Sequence, residues 1–274
     1  MQSFHRFSPL MALAGLALAC STALAGSTQE DTDWNLRLKK ESSGWSLSFS
    51  SSQDYGSGSH RLKGSGVWVE KQRSVAAFSK LRLEGPLDVR LHQASSDSVK
   101  VAADDNVEPL IETRVEGDTL VVRILKDSAF RTRQAPVIRI DSKNLNTVAV
   151  EGSGDLQLER FAGERLSLSL NGSGDVRVGQ LEVQELTANL TGSGDLQVSG
   201  RADNQSWTLH GSGDVDARSL SGRKVKAELS GSGDMALGAS ETLDASLRGS
   251  GDLSYAGRPQ LRQSVSGSGE ISRR

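Results

Sequence analysis

The sequence predicts an all-β solenoid, and three observations carry the prediction. The first is a tetrapeptide, Gly-Ser-Gly-Asp, which occurs six times and once more as Gly-Ser-Gly-Glu, at intervals of 18 to 20 residues. The second is the alternation of apolar and polar residues beside these copies, the two-residue period of a strand with one buried face. The third is composition. Gly accounts for 29 of 274 residues, while hydrophobic residues reach 36% and aromatics only 4%. That is little bulk for a broad globular core but enough for a narrow one lined by Leu, Val and Ala.

The repeat unit comes first. Its corners are Gly152, Gly154 and Asp155; Gly172, Gly174 and Asp175; Gly192, Gly194 and Asp195; Gly211, Gly213 and Asp214; Gly231, Gly233 and Asp234; Gly249, Gly251 and Asp252; and a last copy from Gly267 to Glu270. Runs such as Leu166, Leu168, Leu170 precede a corner, and runs such as Val176, Val178 follow it. Two strands per ~19 residues fit either an antiparallel meander or one coil of a solenoid. The solenoid explains why equivalent residues return at equivalent places, because each coil stacks on the last at ~4.8 Å. Seven such coils make a rod on the order of 30 Å long. At the corner, glycine allows a sharp redirection and a close approach between coils. The Asp carboxylate accepts backbone N–H groups, a structural turn role. The remaining side of each coil (159–165, 179–185, 199–204, 218–224 and 238–242) lacks the alternation and reads as irregular loop. Gln205 and Gln263 fall in apolar columns and mark their coils as looser.

Upstream, Leu81, Leu83, Gly85, Leu87, Val89 and Leu91 align position by position with Val148, Val150, Gly152, Gly154, Leu156 and Leu158. This is a degenerate first coil, with Val99, Val101, Leu120, Val122, Ile138 and Ile140 supplying further strands; atypical terminal repeats cap a solenoid. Residues 26–69 form a Ser/Gly-rich arm. In it Trp34, Leu36, Leu38 and Trp45, Leu47, Phe49 alternate as a hairpin would, and 56–59 and 64–66 read as linker. Residues 1–25 read as a secretory signal peptide: Arg6, an apolar stretch from Leu10 to Ala19, then Ala23-Leu24-Ala25 before Gly26. Cys20, the single cysteine, falls inside it, so the mature chain carries no disulfide. Ala17-Leu18-Ala19-Cys20 keeps open an alternative, a lipid anchor at Cys20. The organisation is thus 1–25 leader, 26–69 arm and 70–274 β-helix domain, with repeats at 148–272.

The segments FSKLRLEGPLDVRLHQ, VKVAADDNVEPLIETRVEGDTLVVRI and LNTVAVEGSGDLQL, followed by reiterated Gly-Ser-Gly-Asp, resemble the DUF2807 family, described as a putative auto-transporter adhesin, head GIN domain. The resemblance covers about residues 70–272. It implies a right-handed parallel β-helix of pectin-lyase-like shape in an exported bacterial protein at the periplasm or cell surface. It brings no catalytic residues with it. The Gly-Ile-Asn of the family's description has no counterpart at these corners.

A net charge of −2 and the lack of a basic face give no reason to expect nucleic acid as a partner. No apolar run reaches the ~18–20 residues of a membrane-spanning helix. Stacked carboxylates repel and need donors, water or cations between them. Calcium suits an all-oxygen ladder, but the calcium-binding β-roll repeat has period nine and another Gly/Asp spacing, so no metal or cofactor is expected. The two function classes are a non-enzymatic envelope-binding module, whose ligand would be a polysaccharide or protein, and a polysaccharide lyase-like enzyme. The lyase needs a base and clustered cations in a groove. The histidines past the leader are His60, His92 and His210, and Arg160, Arg165, Arg201, Arg218, Arg223 and Lys224 are the available cations. Long regular faces of Ser, Thr, Asn and Gln favour the binding module.

Overall fold

The structure, a computed structural model, describes residues 34–41, 44–51, 53–58 and 61–274. The leader with Cys20, and His60, lie outside these. The described residues form two units, divided between Ser51 and Ser52. The first contains an antiparallel hairpin of Trp34–Glu41 and Gly44–Ser51, with Leu36 opposite Phe49 and Leu38 opposite Leu47.

The second unit is a β-solenoid of about six turns, the seven corners marking where one turn passes to the next. Its strands Leu156–Gly172, Val176–Gly192 and Leu196–Gly211 pair in parallel: Leu156 with Val176, Leu170 with Leu190, Leu190 with Leu209. The register continues through Leu229, Leu247 and Val265. Parallel pairing of successive repeats rules out the meander, whose neighbours run antiparallel. Inward residues form columns, and the apolar side chains in them are buried from Leu81 through Leu253. Small residues flank large ones where the interior is narrow. Trp207, fully buried, lies in register between Ala188 and Ala227.

The third side of the first three full coils is strand, where the sequence suggested loop. Each of the three strands runs on through 159–165, 179–185 or 199–204, because Phe161, Leu181, Val183 and Ala202 turn inward there. Their spacing departs from strict alternation, and the register shifts between Val178 and Leu181. Only the later coils shorten this side, to Leu220–Ser221 and beyond.

Gln205 does not loosen its coil. It is buried, accepts the Trp207 indole N–H at 2.9 Å, and donates to the carbonyls of Ala202 and Ser221 at 3.1 and 3.3 Å. Its amide thus lets a Trp occupy the core without an orphaned donor. Gln263, by contrast, is exposed on the outermost coil, Gln260–Gly267.

Below the first motif coil lies the degenerate one: Lys80–Glu84 pairs with Thr147–Gly152 (Leu81 with Val148, Leu83 with Val150), and Leu156 and Leu158 pair with Val89 and Leu91. The next layer out is later in sequence. Thr119–Ile124 and Val137–Ser142 stack on the other edges of Lys80–Glu84 and Asp88–Gln93. Beyond them the direction reverses. Ile111–Glu116, Ser98–Asp104 and Trp68–Arg73 are antiparallel additions that close this end of the stack. Glu108, buried in a single 3-10 turn, is paired there by Lys71 at 2.9 Å and Arg73 at 2.5 Å.

Strands also flank the stretches read as linker. Gln53–Gly56 and Arg61–Lys63 flank Ala129–Thr132 in a small sheet, with Tyr55 stacked on Phe130 at 5.0 Å. Gly56, Gly58 and Gly64 are there for closeness, whereas a Cβ on Gly66 would meet nothing within 4 Å. A Cβ on Gly58 would stand 2.6 Å from the Asp127 carbonyl oxygen.

Candidate functional site

At each corner from the second motif on, three backbone N–H groups point toward the preceding coil. At the third motif the Ser193 and Gly194 amides share the Gly172 carbonyl, at 2.9 and 3.2 Å. The third donor, Asp195 N–H, is accepted by Oδ1 of Asp175 at 3.1 Å. The same bond repeats from Asp88 to Asp155, and on through Asp175, Asp195, Asp214, Asp234 and Asp252 to Glu270, at 2.8 to 3.1 Å. Each carboxylate thus satisfies a donor that no backbone carbonyl reaches. The glycines divide the work. Gly192 takes φ +123, and a Cβ on Gly194 would stand 2.0 Å from the Gly174 carbonyl oxygen. The other five corners of this set, from Gly152 to Gly251, repeat both features.

The ladder begins under strain of charge. Burial and the neighbouring Asp155 carboxylate hold Asp88 above the ordinary range, against the Asp155 N–H that its carboxylate accepts. Burial, with the Asp88 charge adding, pushes the Tyr55 phenol up to about 12.

Beside the ladder runs a groove of about 450 Å³, with Asp175, Asp195, Asp214, Asp234 and Asp252 along one side. Its floor is the outward column Arg177, Gln197, Asp216, Ala236, Ser254, and Arg218 and Arg274 contribute cations. The floor escaped the sequence reading, since these residues merely alternate with core positions. Arg177 pairs with Asp175 at 2.8 Å, and Arg218 with Asp216 at 2.5 Å. The Arg218 guanidinium holds the Asp216 carboxyl below its usual range. Among the described residues, no cluster of three or more His, Cys, Asp or Glu is arranged to hold a metal ion.

Of the cations proposed for a lyase, three come together on the third side, and each of these is paired with a carboxylate of its own. Arg160 bonds Gln180, Arg165 pairs with Glu164, Arg201 with Asp203 and Arg223 with Glu241. Arg201, Arg218 and Arg223 border a separate depression of about 470 Å³ on the third side. His92 lies between Asp141 and Glu159 at 3.9 and 3.6 Å, outside both cavities. His210 is exposed on the face that precedes the corners.

That face has a distinct composition. In three successive coils its outward positions are Ser167, Ser169 and Asn171; Thr187, Asn189 and Thr191; Ser206, Thr208 and His210. No Asp, Glu, Lys or Arg is among them, and the flanking coils carry Glu151 on one side and Lys226 and Glu228 on the other.

A stack of parallel coils with polar outward faces, closed by antiparallel strands at one end, defines the class: a repetitive β-solenoid. The chain belongs to the putative auto-transporter adhesin, head GIN domain family (DUF2807), whose profile matches residues 77–259. Solved structures share the fold. A putative adhesin from Bacteroides fragilis is 28% identical with a TM-score of 0.74, covering 78% of this chain and 100% of its own. A putative lipid binding protein from Parabacteroides distasonis is 23% identical with a TM-score of 0.67, over 78% and 100%. A putative adhesin from Parabacteroides merdae is 20% identical with a TM-score of 0.65, over 78% and 99%. Comparison with curated proteins gives no match. No helix among the described residues is long and apolar enough to cross a membrane.

Proposed function

We propose that this is a non-enzymatic, exported cell-envelope protein whose solenoid is a surface-binding module. The observation that carries the reading is the use of the corner carboxylates. In the groove beside the ladder, one oxygen of each Asp holds the backbone of the next coil, and no histidine among the described residues lines it. What the coils offer instead is extended, regular polar surface. The adhesin names of the family and of its Bacteroides fragilis relative support the same reading.

The experiment incubates the mature protein with acidic polysaccharides and follows the absorbance of unsaturated products. No increase is expected, and a steady enzyme-dependent rise overturns the reading. Export has its own test. N-terminal sequencing of the protein from its native envelope should begin at Gly26, whereas an acylated Cys20 would replace a soluble mature form with a lipid-anchored one.

A further inference from the structure

We infer that the charge-free face over 167–171, 187–191 and 206–210 is the binding surface, and that its ligand class is an uncharged polyhydroxylated polymer, a neutral glycan. The inference rests on the surface-binding reading above and adds to it a place and a ligand chemistry.

The first ground is contrast. The chain is 24% charged, and outward positions elsewhere carry ion pairs two residues apart. Lys226 pairs with Glu228 on this same side one coil later, Arg201 with Asp203 and Arg177 with Asp175 on the others. Nine outward positions without one Asp, Glu, Lys or Arg interrupt that habit. The second ground is hydrogen-bonding capacity left unused. None of these nine side chains makes a hydrogen bond within the described protein, although hydroxyl groups on the third side do, as Ser221 does to the Gly200 carbonyl. Ser, Thr and Asn both donate and accept, the capacity that a sugar hydroxyl matches from the other side. The third ground is geometry. The positions form three rows of three, set by strand spacing and the two-residue repeat, across roughly 10 Å by 13 Å. Apolar columns buried behind them hold the rows rigid, so little side-chain order remains to be imposed on binding.

Charge decides between ligand classes. An anionic polymer placed here would meet no Lys or Arg within the window, and at its borders Glu151 and Glu185 stand beside Arg165 and Lys226, which are already paired with Glu164 and Glu228. A polar group stripped of water without a partner is costly, and a charge more so. A neutral polyol exchanges water for hydroxyl and amide partners without that penalty. A patch this small binds one site weakly, so a repeating polymer with many equivalent sites is the fitting probe.

The test measures retention of the mature protein by three neutral polymers (dextran, a soluble β-glucan and a galactomannan) and by polygalacturonate as the anionic comparison. Variants Asn189→Asp and Asn189→Lys place either sign of charge at the centre of the face, and Gln197→Lys places one on the groove floor instead. Thermal melts of all three should match wild type, because each site is exposed. Retention by at least one neutral polymer is expected, reduced tenfold or more by both Asn189 variants and unchanged by Gln197→Lys. If Asn189→Lys strengthens retention while Asn189→Asp weakens it, the ligand is anionic and the proposal fails. It also fails if neither Asn189 variant matters, if Gln197→Lys abolishes retention, or if no neutral polymer is retained. Concentration-dependent dimers that Asn189→Lys disrupts would assign the face to a second copy of the chain and overturn it too. Retention of polygalacturonate alone, without product, leaves the surface-binding reading standing and removes only this one. Product formation removes the reading itself.

Discussion

At the corner, glycine and aspartate carry unequal shares of the fold, and substitutions should separate them. Gly194 has no room: its Cβ would sit 2.0 Å from a backbone oxygen of the coil below, which cannot step aside without breaking register. Gly194→Val is expected to cost about 3 kcal/mol, a fall in melting temperature of roughly 6–12 °C for a domain of this size. Asp195→Asn keeps an oxygen for the Asp214 N–H and should change stability by less than about 1 kcal/mol. EDTA should leave the melting temperature of wild type unmoved; a chelator-sensitive wild type beside an unperturbed Gly194→Val would reverse the assignment of roles. Asp88 gives a pH-dependent case. Its folded pKa is raised, by burial first and by Asp155 second. A raised carboxyl pKa penalises the folded state once pH climbs through the unfolded and then the folded value, and leaves it unpenalised below both. Asp88 keeps part of its surface in water, so the effect has a direction rather than a calculable size. Asp88→Asn should therefore melt higher than wild type at pH 7, with the advantage vanishing by about pH 3. An advantage that persists at low pH would mean that shape, not charge, separates the two side chains.

The strand is where the sequence was most legible, and where its failures have physical causes. Alternation at period two located the strands on both sides of the corner, including the register of Leu81 and Leu83 against Val148 and Val150. The third side was missed because a coil must bend there. Phe161 stands three residues after Leu158, and the bend breaks the two-residue period while keeping both side chains inside. Gln205 was misjudged because polarity in an apolar column looks like a defect until the partner is known. That partner, Trp207, is two residues away on the same buried face, and Gly222 leaves the space the amide occupies, since a Cβ there would stand 2.3 Å from its nitrogen. Gln205→Leu is expected to destabilise by about 1–3 kcal/mol despite its greater hydrophobicity, because it leaves the indole N–H and the Ala202 carbonyl unpaired. In Gln205→Leu/Trp207→Phe the indole donor is gone as well. A double-mutant cycle by urea unfolding should show a favourable coupling between the two of at least about 0.5 kcal/mol, and additive losses would mean that the hydrogen bond contributes nothing.

Across the whole molecule, spatial order departs from chain order, and no local pattern could announce it. Residues 80–93 form a layer that 119–142 cover on one side and 147–158 on the other, so the chain lays down an inner layer, leaves to build the outer one with its antiparallel closure, and returns. In a simple solenoid each coil touches only its sequence neighbours, and stability sums over interfaces. Here the two ends of the stack should respond differently to deletion. The last coil, Gln260–Gly267 with Ile271–Arg273, is largely exposed and covers only the outer side of its predecessor. Removing 257–274 uncovers Leu243, Leu247 and Leu253 but breaks into no other layer. Removing 119–142 and bridging the gap with a flexible linker uncovers Leu81, Leu83, Val89 and Leu91. It also strips Ile111–Glu116 of its partner strand and leaves Ser98–Asp104 paired with Trp68–Arg73 alone. The first variant is expected to keep a β-type circular dichroism spectrum and a single cooperative melt, lowered in temperature. The second should lose cooperative melting altogether, and equal effects of the two deletions would show that the interleaved layer is no more than one coil among equals.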